Sequence, residues 1–348
     1  MTRFMRSQDI YNEDKWASIV KMLPIDLEDS AKKCGALIRC RKVPNATALI
    51  RLALTYSLFD LSIKDVAAWS RVNGITQITG PGLFYRLREC EPWLEHVLAQ
   101  TLSDEIVPAH SGLKIRVVDA TVITGPGTRG TDWRAHVLIN PVSGRFSSVE
   151  LTDHKGGESY SRYTVNSNEV ILADRGYCAA RGIEHIVKSG AHVVLRVNPY
   201  SLKVCDPEKK RIDLLSYESK ITSDTFTSLN VLIPTPPDMK LRNSHVWKLS
   251  EATNWIEARI VGTRTKKGNV IWILTTLKPD RLSDKALLNL YRIRWQIELM
   301  FKRLKSLLHL DTLPTKKGPT SKTWLLTRFL AAAIAQKMVR PAGPFPLW

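Results

Sequence analysis

The chain has 348 residues with 44% hydrophobic content, enough to bury a sizeable core in two or three domains or lobes. Lysine and arginine exceed aspartate and glutamate by 18 and the pI is near 9.8, which calls for a polyanionic partner, nucleic acid first; an anionic membrane surface fits less well, because the cations are spread along the chain instead of stacked beside an anchor. No continuous apolar leader precedes Glu28, the run from Trp324 to Val339 is too short and too charged for a membrane span, and five scattered cysteines (Cys34, Cys40, Cys90, Cys178, Cys205) show no zinc-type spacing, so a cytoplasmic protein with reduced thiols is expected.

Residues 1–111 read as a helical domain. Glu13 to Met22 is a short amphipathic segment containing Trp16, and Asn45 to Phe59 is a stronger helix with Asn45 or Thr47 as its N-cap. Ser62 caps a further helix through Trp69, Gly74 breaks it, and another helix runs from about Pro81 to Cys90. Helix, glycine turn and helix, the second carrying Arg86 and Arg88, is the outline of a helix-turn-helix; two packed structural helices give the same outline.

Residues 112–197 alternate between strands and turns. Lys114 to Thr124 is a β-branched run with Asp119 in its middle, where an ionisable group is costly unless it is paired, locally hydrogen-bonded or metal-bound. The loop Gly125 to Gly130 lacks the Lys and Ser or Thr of a P-loop and reads as a turn. Two strands follow, Trp133 to Asn140 and Arg145 to Leu151, then a polar loop from Thr152 to Tyr160. The segment Glu169 to Tyr177 carries Asp174 to the C-terminal end of a strand, where ligand sites of α/β folds lie, although an aspartate capping the following turn explains the same residue. A helix from about Ala179 and a strand from Ala191 to Val197 complete this part.

From 198 to 278 turn residues alternate with short strand candidates at Ser244 to Leu249, Trp255 to Val261 and Val270 to Leu277, a β-rich insertion. Its basic loop tips, Lys209, Lys210 and Arg211 and then Arg264, Lys266 and Lys267, lie near Trp247, Trp255 and Trp272, which either pack in the core or offer faces to a base. Residues 279–312 contain a stretch from Ala286 to His309 without Pro or Gly, read as one long helix. At roughly 100° per residue, Tyr291, Arg294, Glu298 and Lys305 form one stripe beside an apolar face that includes Ile297, Phe301 and Leu304. A carboxylate flanked by cations suits an anionic ligand or a metal bound to one; a plain ion pair of Glu298 with Arg294 or Lys302 accounts for it as well. Residues 313–348 form a basic link, a last apolar helix and the tail RPAGPFPLW.

Tyr, two residues, Arg, three residues, Glu, six residues, Lys resembles the signature of the insertion-sequence-4 type of DDE transposase, and all four positions match. The phrases DAT at Asp119 and LADRGY at Asp174 resemble the two aspartate motifs of the same family. The resemblance implies an α/β fold, an RNase H-like mixed sheet flanked by helices, with an N-terminal helical domain that binds transposon ends and a β-rich insertion. It implies Asp119, Asp174 and Glu298 as catalytic metal ligands, with Asp119 bridging two ions. Tyr291, Arg294 and Lys305 would hold DNA phosphates, and Arg86 and Arg88 would add DNA contacts. Two Mg²⁺, or Mn²⁺, about 3.5 to 4 Å apart would activate the nucleophile and relieve charge on the scissile phosphate, and carboxylates without Cys/His spacing suit such hard ions. The expected activity is nicking at terminal inverted repeats and attack of the freed 3′ hydroxyl on target DNA, by a bacterial, cytoplasmic and nucleoid-associated homodimer. A metal-dependent nuclease without strand transfer and a non-catalytic DNA-binding derivative are the alternatives.

Overall fold

A computed structural model describes residues 13–59, 61–102, 112–222, 226–237, 247–265, 268–311, 313–314 and 318–338. The described chain begins with α1 (Glu13–Val20), α2 (Leu27–Lys33), α3 (Ala46–Leu58), α4 (Ile63–Val72), α5 (Gly80–Glu89) and α6 (Glu91–Thr101). The side chains of Asn45, Ser62 and Thr79 accept hydrogen bonds from Ala48, Asp65 and Gly82 amides, so the helix starts at Asn45 and Ser62 lie where the sequence puts them.

Then come β1 (Lys114–Ile123), β2 (Trp133–Asn140), β3 (Arg145–Asp153), β4 (Glu169–Ala173), α7 (Ala180–Lys188), β5 (His192–Arg196), β6 (Phe226–Thr235), β7 (Asn254–Arg264) and β8 (Val270–Thr275). They form one sheet in the order β3-β2-β1-β4-β5-β8-β7-β6. The pairs β1–β4 and β4–β5 are parallel, while β1–β2, β2–β3, β5–β8, β7–β8 and β6–β7 are antiparallel. This is the expected α/β class, a mixed sheet flanked by helices behind an N-terminal helical region. Successive residues of β1 serve opposite faces: Val117 joins the core shared with the N-terminal helices, and Val118 joins the core beneath α7. Burial on both sides is why β4 carries the apolar run Val170–Ala173 and why β1 has adjacent buried valines at 117 and 118.

The chain ends in α8 (Asp284–Arg292), α9 (Trp295–Leu308) and α10 (Ser321–Met338). The last helix packs against α3, α6 and β3 and is buried nearly all round, which explains its apolar composition without a membrane; among the described residues no helix is long and apolar enough to cross one.

Two expectations change. The β-rich segment at 198–278 continues the core sheet, because β8 pairs directly with β5 and carries β7 and β6 outward in the same sheet. Within it, 244–246 lie outside the described residues, Trp247 and Lys248 are not in a strand and Leu249 begins a 3-10 turn, whereas β6 holds a strand the sequence reading lacks. Pro234 inside β6 is tolerated because β6 is the sheet edge. The single helix from Ala286 to His309 is two helices. The Ile293 and Arg294 amides bond three residues back, to Leu290 and Tyr291 carbonyls at 3.0 and 3.1 Å, and this 3-10 tightening separates α8 from α9 with no Gly or Pro to mark it. Lys266, Lys267 and the tail RPAGPFPLW lie outside the described residues.

Gly262 of β7 sits opposite Trp272 of β8, and a Cβ there would lie 2.4 Å from the buried indole and 2.7 Å from Ile221 Cδ1. Gly262→Ala should therefore destabilise the protein by about 1–3 kcal/mol, read as a lowered urea midpoint; an unchanged midpoint would mean that the ring is not seated against this strand.

Candidate active site

Register brings the two aspartates together. In the parallel pair β1–β4 the last matched residues are Val117 and Leu172, and two residues further on each strand's chain reaches an aspartate, Asp119 and Asp174. Adjacent strands run about 4.8 Å apart, so the carboxylates are neighbours, and the charge of Asp174 is felt at Asp119. Asp174 also accepts a hydrogen bond from Gly176 at 3.3 Å, capping the 3-10 turn Arg175–Tyr177, so the turn-capping reading and the site reading are both satisfied.

Helix α9 packs over β1 and closes the site from above. Arg294, at its start, reaches Asp119 Oδ2 with Nη1 at 3.9 Å and donates from Nη2 to Glu298 Oε1. The ion pair anticipated between Glu298 and Arg294 thus exists, and its guanidinium touches a strand carboxylate as well. Tyr291 lies beneath the same guanidinium, 5.8 Å from its ring centroid. Lys305 is further along α9, in an open groove of about 530 Å³ that Glu298, Lys302, Thr121, Phe301 and Asp311 also line.

The sequence reading missed Glu158. It comes from the polar loop after β3, and its carboxylate rests on the turn behind Asp174: a Cβ on Gly176 would lie 1.6 Å from Glu158 Oε2, so any larger residue there would push the Glu158 side chain aside. No periodicity marks a loop carboxylate; the glycine in the Asp174 turn was the available sign that something approaches closely. Arg196, at the end of β5, is near enough to influence Tyr291 and was also unflagged.

Beneath the carboxylates lies an aromatic floor. Tyr163 and Tyr177 share a hydroxyl hydrogen bond of 3.0 Å, and Tyr160 packs on Tyr177 with centroids 5.2 Å apart. Burial raises the pKa of all three phenols, which stay neutral. Burial likewise pushes Asp119 up to about 6, opposed by the Ala120 amide and by Arg294, and assisted by the charges of Asp174 and Glu158. Glu158 is raised by burial, opposed by Arg134 and assisted by Asp174. Tyr291 is raised to about 12 by burial.

The N-terminal arginines are elsewhere. Arg86 donates to the Ala36 and Arg39 carbonyls at 3.1 and 3.2 Å, so its guanidinium braces α5 against the loop between α2 and α3. Arg88 is exposed beside Tyr85 and Glu89. Of the tryptophans, Trp272 is core, while Trp247 and Trp255 lie under the ammonium groups of Lys203 and Lys209 at 3.8 and 4.9 Å. Arg264 is tied to the carbonyls of Glu218, Ile221 and Gly268.

The donor chemistry of Asp119, Asp174 and Glu298, oxygen only, fits a hard divalent cation. The spacing is looser than the chemistry: among the described residues no three His, Cys, Asp or Glu side chains stand close enough to share an ion.

Because the folded-state pKa of Asp119 lies above its ordinary 3.8, the native protein holds the extra proton between about pH 4 and 6, and stability falls as pH rises through that window. Without metal, in EDTA, Asp119→Asn should stabilise the protein at pH 8 by about 1–3 kcal/mol. The gain should vanish below pH 4. Thermal unfolding at both pH values checks this, and a destabilised variant at pH 8 would show that Asp119 is held by its partners more strongly than burial penalises it.

The family described as transposase DDE domain matches residues 110–334, the stretch that holds every strand and the helices α7, α8 and α9. Over 362 aligned residues, covering 97% of both chains, the sequence is 32% identical to the Escherichia coli K12 protein named as transposase InsL for insertion sequence element IS186A. It is 31% identical, again over 97% of both, to the E. coli transposase for insertion sequence element IS421. In architecture it is similar to the piggyBac transposase in its synaptic complex with hairpin DNA, at 9% identity and a TM-score of 0.42, over 93% of this chain and 74% of that one. By its matching domain and its full-length relatives the chain belongs to the DDE transposases, consistent with the insertion-sequence-4 type that its sequence motif resembles.

Proposed function

We infer that this transposase cuts DNA at the terminal inverted repeats of its element and joins the freed 3′ hydroxyl to target DNA in a reaction that depends on Mg²⁺ or Mn²⁺. The observation that carries the reading is the shared level of Asp119 and Asp174 on adjacent strands, with Arg294 linking Asp119 to Glu298 on α9. Asp119, Asp174 and Glu298 would hold the ions, which supply charge relief at the scissile phosphate and an activated water or hydroxyl. Arg294, Lys305 and the Tyr291 hydroxyl would hold and orient the phosphates, the cations through charge-assisted hydrogen bonds. The buried phenols of Tyr163 and Tyr177 lower the local dielectric near Asp119. Glu158, seated against Gly176, fixes the turn that presents Asp174.

Among the N-terminal arginines, Arg88 is the candidate for contact with the transposon end. A net charge of +18 steers the whole molecule to a polyanion. Cutting two ends in step calls for two copies of the chain on the DNA, and such a protein works in the cytoplasm at the nucleoid.

Cleavage of a labelled duplex carrying the element's terminal repeat, with Mg²⁺ and without, tests this. The wild type should cut at the repeat boundary only with the ion, and Glu298→Gln should cut at least about a hundredfold more slowly, the scale of losing one group from a preorganised charged site, while still binding the duplex. Cutting that ignores the repeat would point to a nuclease without strand transfer. Binding without cutting by the wild type would point to a non-catalytic DNA-binding protein.

A further inference from the structure

Arg294 is placed in a way that phosphate binding does not explain. Its guanidinium lies between carboxylates from opposite walls of the cleft, 3.9 Å from Asp119 Oδ2 on the sheet and hydrogen-bonded to Glu298 Oε1 on the helix. Its side chain is 15% exposed, close to the 16% of Asp119, whereas Glu298 is 48% exposed and has turned along its own helix to reach it. A partly buried cation paired with one oxygen from each wall stands in the space that a divalent ion shared by Asp119 and Glu298 would occupy.

We propose that the Arg294 guanidinium is a built-in occupant of the metal site, holding Asp119 and Glu298 in the metal-free protein and competing with the divalent cation for both. This rests on the metal-dependent reading above. It accounts for the looseness of the carboxylates, since Glu298 is directed to the guanidinium and not toward Asp174. It also gives the occupant a purpose. Asp174 and Glu158 already raise the cost of ionising Asp119, as Asp174 does for Glu158, and an unneutralised Glu298 beside them would add a further like charge. Arg294 suits the task because its planar fork contacts two acceptors at once, and the 3-10 step at 293–294 lets the side chain start from the helix break, not from mid-helix. An ion entering the site must displace it, so ion affinity in the absence of DNA is lowered by the strength of those two contacts.

The test is Mn²⁺ titration of the EDTA-stripped full chain, without DNA, followed by the electron paramagnetic resonance signal of free Mn²⁺. Arg294→Gln, which removes the charge and keeps much of the volume, should bind Mn²⁺ at least tenfold more tightly than the wild type, and binding should disappear in Asp119→Asn. Arg294→Lys should shift affinity far less than Arg294→Gln, because an ammonium keeps the charge. Lys302→Gln removes a neighbouring groove cation that bridges no pair of carboxylates, and should stay within about twofold of the wild type; a shift as large as that of Arg294→Gln would reduce the effect to general electrostatics and overturn the proposal. Equal or weaker binding by Arg294→Gln, with Asp119→Asn still abolishing it, would overturn the occupant while leaving the metal reading intact. If no variant shows Asp119-dependent Mn²⁺ binding, the metal reading falls and the occupant with it. Far-ultraviolet circular dichroism of each variant confirms that the fold is retained.

Discussion

Like charges at one level of neighbouring strands are the constraint around which this molecule is arranged. Parallel pairing of β1 and β4 fixes the spacing of Asp119 and Asp174, and no side-chain rotation can carry them far apart. Each negative charge therefore needs compensation. Asp119 receives it from the Ala120 amide of its own strand and from Arg294 of the helix above, and Glu158 receives it from Arg134. The sheet holds the carboxylates in position and the surrounding elements keep them tolerable.

Holding α9 in place is consequently as important as the strands. Its C-terminal end is tied twice. The buried Arg328 of α10, stacked 3.8 Å above Trp324, donates to the Leu308 carbonyl, and the chain just past the helix exchanges backbone hydrogen bonds with the end of β1, Thr124 to the Asp311 carbonyl at 3.0 Å and Leu313 to the Thr124 carbonyl at 2.9 Å. The last helix thus reaches the site through one buried guanidinium, which explains why an otherwise apolar helix carries an arginine at 2% exposure. Its hydrogen bond to a terminal carbonyl satisfies one of the groups that any helix end leaves open.

What could be read from the residues follows the same division. The strand around Asp119, the turn at Asp174 and the caps at Asn45 and Ser62 were legible because burial on both faces, turn chemistry and capping act locally. The pairing of Glu298 with Arg294 was legible as helical spacing. What the pairing means was not, because Asp119 enters it from 175 residues earlier in the chain. Glu158 was hidden for the same reason: a loop residue has no period, and only the folded turn shows that its carboxylate lies against Gly176. The break between α8 and α9 left no composition signal, and β6 was concealed by Pro234, whose tolerance depends on a place at the sheet edge that no local pattern reveals. Arg86 looked like a free cation on a helix until the loop at 36–39 folded onto it.

The distribution of charge gives the final step. The chain as a whole is strongly cationic, yet its cleft gathers Asp119, Asp174, Glu158 and Glu298. A uniformly positive surface would bind nucleic acid everywhere with equal ease, and its strength would follow salt alone. A negative centre bordered by Arg294, Lys302 and Lys305 behaves differently, since a phosphate is attracted to the rim and repelled from the middle until the middle is neutralised. Neutralising that centre removes the repulsion felt by the phosphate, so any cation that does so strengthens phosphate binding, and by reciprocity a bound phosphate strengthens the hold on the cation. On the metal-dependent reading proposed above, one helix over two aspartates would couple the two binding events through charge, with Arg294 leaving the middle as the cation enters.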